Sequence, residues 1–83
     1  MTRGVADKLA EDFDFAEFVL KSLFRHINAD WGELSEEDKQ ENEFSLKNSF
    51  RLLSAYERDG VPKIWVITEA DRSVTTVLFP NEY

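Results

Sequence analysis

The stretch from residue 50 to residue 79 constrains the fold of this chain more than any other part of it. Three short runs rich in β-branched and aromatic residues are separated by two turn signals, Asp59-Gly60 and Ala70–Ser73. Asp-Gly between such runs is the strongest short-range signal for a β-hairpin. The pattern therefore predicts a three-stranded antiparallel meander, with its central strand at Lys63–Glu69 and its last strand at Val74–Phe79.

The first run of the meander has two interpretations. Residues 51–57, which read RLLSAYE, could continue a preceding helix, because Phe50, Leu53 and Tyr56 lie near helical spacing. The hairpin signal that follows at Asp59 favours a strand instead. We predict a strand for this run.

Two helices are predicted before the meander. The first covers residues 15–27, with Asp14 as its N-cap and Glu17 as its capping-box partner. The second covers residues 35–48, begins at a Ser35 cap and has a poorly amphipathic pattern. The apolar stripe of the first helix is expected to face the core and contains Phe15, Phe18, Val19, Leu23, Phe24 and Ile27.

The predicted fold class is α+β, with two helices followed by a three-stranded antiparallel β-meander in one small domain covering residues 1–83. A chain of 83 residues can build only a small core. Residues 1–12 are expected to form a flexible or weakly helical arm, because Gly4 and the nearby terminus favour fraying. Trp31 is too large to remain in water and is expected to fix the connector between the helices onto the core.

The composition excludes several classes of protein. The chain has no cysteine, which rules out a disulfide framework and a thiolate metal site. No apolar run approaches the ~20 residues of a membrane-spanning helix, and no secretory leader opens the chain. We therefore expect a soluble cytoplasmic protein that needs no cofactor, binds no metal and makes no membrane contact.

The net charge of −7 is concentrated in one window, Ala29–Glu43, which holds seven acidic residues and a single lysine. Such a surface repels nucleic-acid phosphates and anionic lipid, so direct nucleic-acid binding is not expected. Two interpretations remain open. The window is either a solvated helix face, or a protein-binding face on which Glu36, Glu37 and Glu41 imitate a row of phosphates.

Both faces of the predicted sheet are apolar, although two helices can cover only one of them well. The other face is expected to carry Trp65, Ile67, Val77 and Phe79. That face is covered either by the N-terminal arm and Trp31, or by a protein partner or a second copy in a homodimer.

Residue types that carry chemistry are few. His26 is the only histidine, and a single histidine near a helix end is usually a surface or capping residue. Glu69, Asp71 and Arg72 place two carboxylates and a guanidinium in one turn, which could support acid–base work on a phosphate. The structural alternative is that Asp71 makes an Asx-type turn and that Arg72 pairs with Glu69 or Asp71.

Three stretches, which read DWGELSEEDKQEN, RLLSAY and KIWVITEADRSVTTVLFPNEY, resemble a family of short uncharacterised bacterial proteins labelled plasmid-related and carried on mobile elements. The chain departs from that pattern at Asn48–Phe50, where a glycine pair is expected before the first strand. The family has no assigned activity, cofactor or catalytic residues, so the resemblance implies only a bacterial cytoplasm and a mobile-element setting.

These observations lead to one expected function and two alternatives. The expected function is a non-enzymatic protein-interaction module of a bacterial mobile element, which uses the apolar sheet face or the acidic helix. The first alternative is an acidic anti-defence inhibitor that mimics nucleic acid. The second is a small hydrolase or nuclease that uses Glu69, Asp71 and Arg72.

Overall fold

A computed structural model describes the whole chain, Met1–Tyr83, as three helices and one three-stranded antiparallel sheet. The predicted α+β class and the meander are confirmed, and residues 52–57 of the ambiguous run lie in a strand rather than a helix. The prediction of two helices is wrong, because the N-terminal residues form a third. In chain order the elements are α1 (Arg3–Glu11), α2 (Phe13–Ile27), α3 (Glu36–Asn48), β1 (Leu52–Arg58), β2 (Val61–Thr68), β3 (Thr75–Leu78) and a 3-10 turn, Pro80–Glu82.

Of the two states expected for the N-terminal arm, flexible or weakly helical, the structure has a helix, α1, whose N-terminal end contacts the C-terminal residues of the chain. Thr2 caps the helix and its backbone N–H donates to the Val77 carbonyl over 3.0 Å. The Glu82 carboxylate accepts from the Thr2 hydroxyl at 2.6 Å and from the Gly4 N–H at 3.2 Å. The hydrogen bond from Thr2 lowers the pKa of Glu82. These contacts join residues about eighty positions apart, so no local sequence pattern could indicate them.

Helix α2 begins two residues earlier than predicted, at Phe13, and its N-cap is Asp12 rather than Asp14. The Asp12 carboxylate accepts from the Phe15 N–H over 3.1 Å, and this bond lowers the pKa of Asp12. Asp14 lies in the first turn, where a negative charge is favourable at the positive end of the helix dipole. The same Asp12 ends α1, so one residue separates the two helices.

The register of the sheet assigns its side chains to two faces. The face under α1 and α2 carries Tyr56, Ile64, Val66 and Val77, because Tyr56 pairs with Ile64 and Val66 pairs with Val77. The opposite face, called here the outer face, carries Ala55, Trp65, Ile67 and Leu78. The core lies between the helices and the first of these faces.

The predicted grouping of Trp65, Ile67, Val77 and Phe79 on one face is therefore wrong. Trp65 pairs with Leu78, so Val77 is on the helix side and Phe79 packs there against Phe15. Side chains alternate between the two faces along a strand. A displacement of one residue in the pairing of β3 therefore moves every side chain of β3 to the opposite face of the sheet.

The connector between α2 and α3 adds a short parallel bridge to the free edge of β1. Gly32 pairs with Ala55, and the Glu33 N–H donates to the Ala55 carbonyl over 2.8 Å. Trp31 is buried, as the sequence predicts. The Tyr56 hydroxyl donates to the Asp30 carbonyl over 2.6 Å, and its burial raises the pKa of Tyr56 to about 12.

Helix α3 is attached to the sheet through a single buried side chain. Asn42 is its only buried residue, and its amide accepts from the Leu53 N–H over 3.1 Å and donates to the Leu53 carbonyl. Because only this one residue of α3 is buried, the sequence of α3 shows little amphipathic pattern.

Replacing Ser49 with glycine should stabilise the protein. Ser49 ends α3 in the left-handed conformation, with φ 59° and ψ 42°, where an L side chain is strained and glycine is not. We expect Ser49→Gly to raise the free energy of unfolding by about 0.5–1 kcal/mol. Chemical denaturation would measure this gain, with Ser45→Gly as the control at a serine inside α3, where glycine should lower the free energy of unfolding. An equal gain in both variants would contradict the explanation.

Candidate interaction surface

The most unusual surface feature is a row of large apolar side chains on the outward side of α2. Phe13, Leu20, Phe24 and Ile27 are 82%, 70%, 68% and 74% exposed, and the smaller Ala16 lies among them. These five residues are called the α2 stripe. They recur at intervals of three or four residues, which places them on one side of a helix.

The stripe exists because the sheet covers only part of α2. The buried side of the helix consists of Phe15, Phe18, Val19, Ser22 and His26. The prediction that Phe24 and Ile27 face the core is wrong. At about 100° per residue, the core side centred on Phe15 and Ser22 cannot also include the side centred on Leu20.

A polar flank runs along one side of the stripe. Lys21 pairs with Glu17 at 2.9 Å, and the hydrogen bond from Lys21 lowers the pKa of Glu17. Further along, Arg25 donates two hydrogen bonds to the Asp30 carboxylate, at 2.8 and 3.1 Å. This pairing lowers the pKa of Asp30 and raises the pKa of Arg25, so both stay ionised near neutral pH.

The outer face of the sheet is less bare than the sequence indicates. Ile67 and Leu78 are each 4% exposed, and Trp65 is half-buried with its ring edge-on to Tyr83 at 5.5 Å between centroids. A groove of about 600 Å³ remains between this face and α3, and its lining includes Trp65, Tyr83 and Asp38. Of the residues proposed from the sequence for a bare apolar face, only Trp65 borders open space here.

The acidic candidates Glu36, Glu37 and Glu41 all lie exposed on α3. Glu36 and Glu37 occupy its first turn, and Lys39 lies 3.8 Å from Glu36. Because α3 buries only Asn42, its carboxylates are in contact with solvent along most of the helix. The structure leaves both interpretations of this window open.

The three residues of the β2–β3 turn proposed for catalysis, called the turn cluster, do not form a reactive group; they are Glu69, Asp71 and Arg72. The Asp71 carboxylate accepts from the Ser73 N–H at 3.0 Å and from the Ser73 hydroxyl at 2.6 Å, which lowers the pKa of Asp71. This is the Asx-type turn expected from the sequence. The predicted pairing of Arg72 with a carboxylate of Glu69 or Asp71 is wrong, because no ion pair joins them.

Arg72 instead binds backbone carbonyls. Its guanidinium donates to the carbonyl oxygens of Phe50 at 2.7 Å, Glu69 at 3.1 Å and Ser45 at 3.3 Å. Arg72 itself has a φ of 63°. The side chain therefore ties the β2–β3 turn to the C-terminal end of α3 and to Phe50, which lies just before β1.

His26 is a core residue rather than the expected surface or capping residue. It is 4% exposed, and its ring lies between the hydroxyls of Ser54 at 2.5 Å and Thr68 at 2.8 Å. The Thr68 hydroxyl also forms a hydrogen bond with the Thr75 hydroxyl, at 2.9 Å. Burial lowers the pKa of His26. Its partners lie 28 and 42 residues away, so the sequence carries no local signal for the network.

Comparison of the chain with protein-family models, with curated proteins and with solved structures finds no match. None of the three helices combines the length and the hydropathy required of a transmembrane segment. No group of three or more His, Cys, Asp or Glu side chains is arranged to hold a metal ion.

Proposed function

We propose that the protein is a non-catalytic protein-interaction module and that its contact surface is the α2 stripe. One observation carries the proposal: the exposure of Phe13, Leu20, Phe24 and Ile27 on a single side of one helix. Contiguous apolar patches on small domains mark interaction sites, because their exposure to water costs free energy that a partner removes.

The stripe is better suited to this role than the outer sheet face. Ile67 and Leu78 on that face are already buried within the chain, whereas the four large side chains of the stripe are mostly exposed. The setting in a bacterial mobile element and in the cytoplasm comes from the sequence resemblance and the composition, and is independent of this geometry. Catalysis by the turn cluster is not proposed, since Asp71 and Arg72 bind groups of the chain itself.

A second candidate surface is the acidic side of α3. Its carboxylates are free because the helix buries only Asn42, which favours an inhibitor that mimics nucleic acid and occupies a basic groove. Such a complex would weaken steeply as salt screens the charges.

Photo-crosslinking in the cells that make the protein would test the two surfaces together. A photoreactive phenylalanine analogue at position 20 or 24 should form a discrete protein adduct, because these side chains lie at the centre of the stripe. The matched control carries the analogue at Gln40, which is exposed on the acidic side of α3. Denaturing gel electrophoresis and mass spectrometry of the adducts provide the measurement.

The pattern of adducts decides between the surfaces. Adducts from positions 20 and 24 that persist when Glu36, Glu37 and Glu41 are changed to Gln support the stripe. An adduct from position 40 that this triple change abolishes would move the contact surface to α3. Absence of any adduct from positions 20 and 24 would contradict the proposal.

A further inference from the structure

We propose that the α2 stripe binds the α2 stripe of a second copy of this chain, with the two helices antiparallel and a twofold axis at Leu20. The inference deepens the proposed function by naming the occupant of the surface, and it rests on that function.

The spacing of the stripe is symmetric about Leu20. Phe13 and Ala16 lie seven and four residues before it, and Phe24 and Ile27 lie four and seven residues after it. Reversing the helix about Leu20 therefore exchanges Phe13 with Ile27 and Ala16 with Phe24. A twofold interface must be complementary to itself, and here the largest side chains meet smaller or differently shaped ones. The small Ala16 leaves room for the Phe24 ring of the second copy.

The charges beside the stripe select the antiparallel orientation. Asp14 and Glu17 lie in the N-terminal half of the polar flank, and Lys21 and Arg25 lie in its C-terminal half. A twofold axis perpendicular to the helices brings the same flank of both copies together in opposite directions. Glu17 of one copy then lies, along the helix axis, between Lys21 and Arg25 of the other. The antiparallel arrangement also aligns the helix dipoles favourably.

The strong negative charge of the protein does not oppose this contact directly. Residues 1–28 contain five acidic and four basic residues, whereas the acidic excess lies in Ala29–Glu43. That window forms the connector and the first part of α3, whereas the stripe lies on a part of the chain with one more acidic residue than basic ones. A second copy thus meets little like-charge repulsion at the interface itself.

The size of the stripe indicates a weak, concentration-dependent dimer. The 15 residues of α2 make a helix about 22 Å long. One pair of such helices buries less than the ~1,600 Å² that is typical of stable complexes. The weight-average mass in sedimentation experiments should therefore rise with protein concentration rather than remain at the dimer value.

Single-cysteine variants can test the register, because the natural chain contains no cysteine. In the proposed dimer residue 20 faces its own copy, so Leu20→Cys should form a disulfide-linked dimer under mild oxidation. Two copies of residue 24 lie about 12 Å apart along the axis, which exceeds the reach of a disulfide. We expect Leu20→Cys to cross-link about tenfold faster than Phe24→Cys, since pairing raises the local thiol concentration.

A mixed experiment and a control complete the test. An equimolar mixture of Ala16→Cys and Phe24→Cys should give mixed dimers faster than either variant alone, because these positions face each other. Phe44→Cys, exposed on α3, sets the background rate of random collision. Equal rates for Leu20→Cys, Phe24→Cys and Phe44→Cys would overturn the proposal, as would a wild-type mass that stays monomeric at all concentrations.

The experiments distinguish the loss of the homodimer from the loss of the stripe as a contact surface. If the wild type is monomeric and position 20 forms photo-adducts with a different protein, the homodimer is excluded and the stripe remains a contact surface. If position 20 forms neither disulfide dimers nor photo-adducts, both proposals are wrong.

Discussion

Replacing Gly32 with alanine should destabilise the protein by roughly 3–5 kcal/mol, which is a large share of the stability of a small domain. Two effects add. Gly32 has a φ of 75°, where a residue with a Cβ costs about 1–2 kcal/mol. A Cβ at this position would also collide with the Ala55 carbonyl and lie 2.7 Å from the Tyr56 ring. The bridge to β1 and the burial of Trp31 would both be lost.

Gly60→Ala is the matched control for this prediction. Gly60 has a φ of 85° but no atom lies within 4 Å of the Cβ that alanine would add. Its replacement should therefore cost only the backbone strain, about 1 kcal/mol or roughly 4–8 °C in melting temperature. Thermal unfolding followed by far-UV circular dichroism would compare the two variants. A loss for Gly32→Ala no larger than that for Gly60→Ala would show that the close approach to Ala55 is unimportant.

The sequence was sufficient for the meander because its signals are local. Asp59-Gly60 is a turn in any context, and the β-branched runs beside it pair with their immediate neighbours along the chain. The sequence was less successful in predicting which face of the sheet each side chain occupies. The side assigned to Val77 and Phe79 depends on where β3 begins, and one residue of displacement reverses it.

The location of the α2 stripe could not be predicted from the sequence either. The apolar residues of α2 occupy more of the helix than one sheet can cover, and periodicity alone does not say which part stays in water. The sequence placed its candidate apolar surface on the sheet, whereas the exposed apolar row lies on α2. On the outer face Tyr83 contacts Trp65, and these two residues lie too far apart in sequence for a local pattern to indicate the contact.

Removing the His26 side chain should cost about 2–4 kcal/mol, because it leaves a cavity and a buried Ser54 hydroxyl that has lost its hydrogen-bond partner. Ser54 is fully buried, so its hydroxyl has no contact with bulk solvent in the folded protein. Phe44→Ala is the control outside the α2 stripe, since Phe44 is exposed on α3 and its truncation leaves no cavity. We expect chemical denaturation of His26→Ala to show the large loss and that of Phe44→Ala to stay within about 0.5 kcal/mol of the wild type.

The same network should make the stability of the wild type fall between pH 7.5 and pH 5.5. Burial lowers the pKa of His26 in the folded state below its value of about 6.5 in the unfolded chain. The unfolded chain therefore binds a proton that the folded chain does not, and stability present above the unfolded pKa is lost as the pH falls. The slope can reach about 1.4 kcal/mol per pH unit.

Only His26 can produce this loss among the side chains that burial affects. It is the single histidine, and the carboxyl groups whose pKa values are lowered, such as Asp30 and Asp71, lose their contribution only at lower pH. His26→Gln keeps polar atoms beside Ser54 and Thr68 but does not titrate, so its free energy of unfolding should be nearly the same at pH 5.5 and pH 7.5. Denaturation curves of both proteins at fixed ionic strength provide the measurement. If His26→Gln kept the wild-type slope, the proton would bind elsewhere, and the buried histidine would be only a packing element of the core.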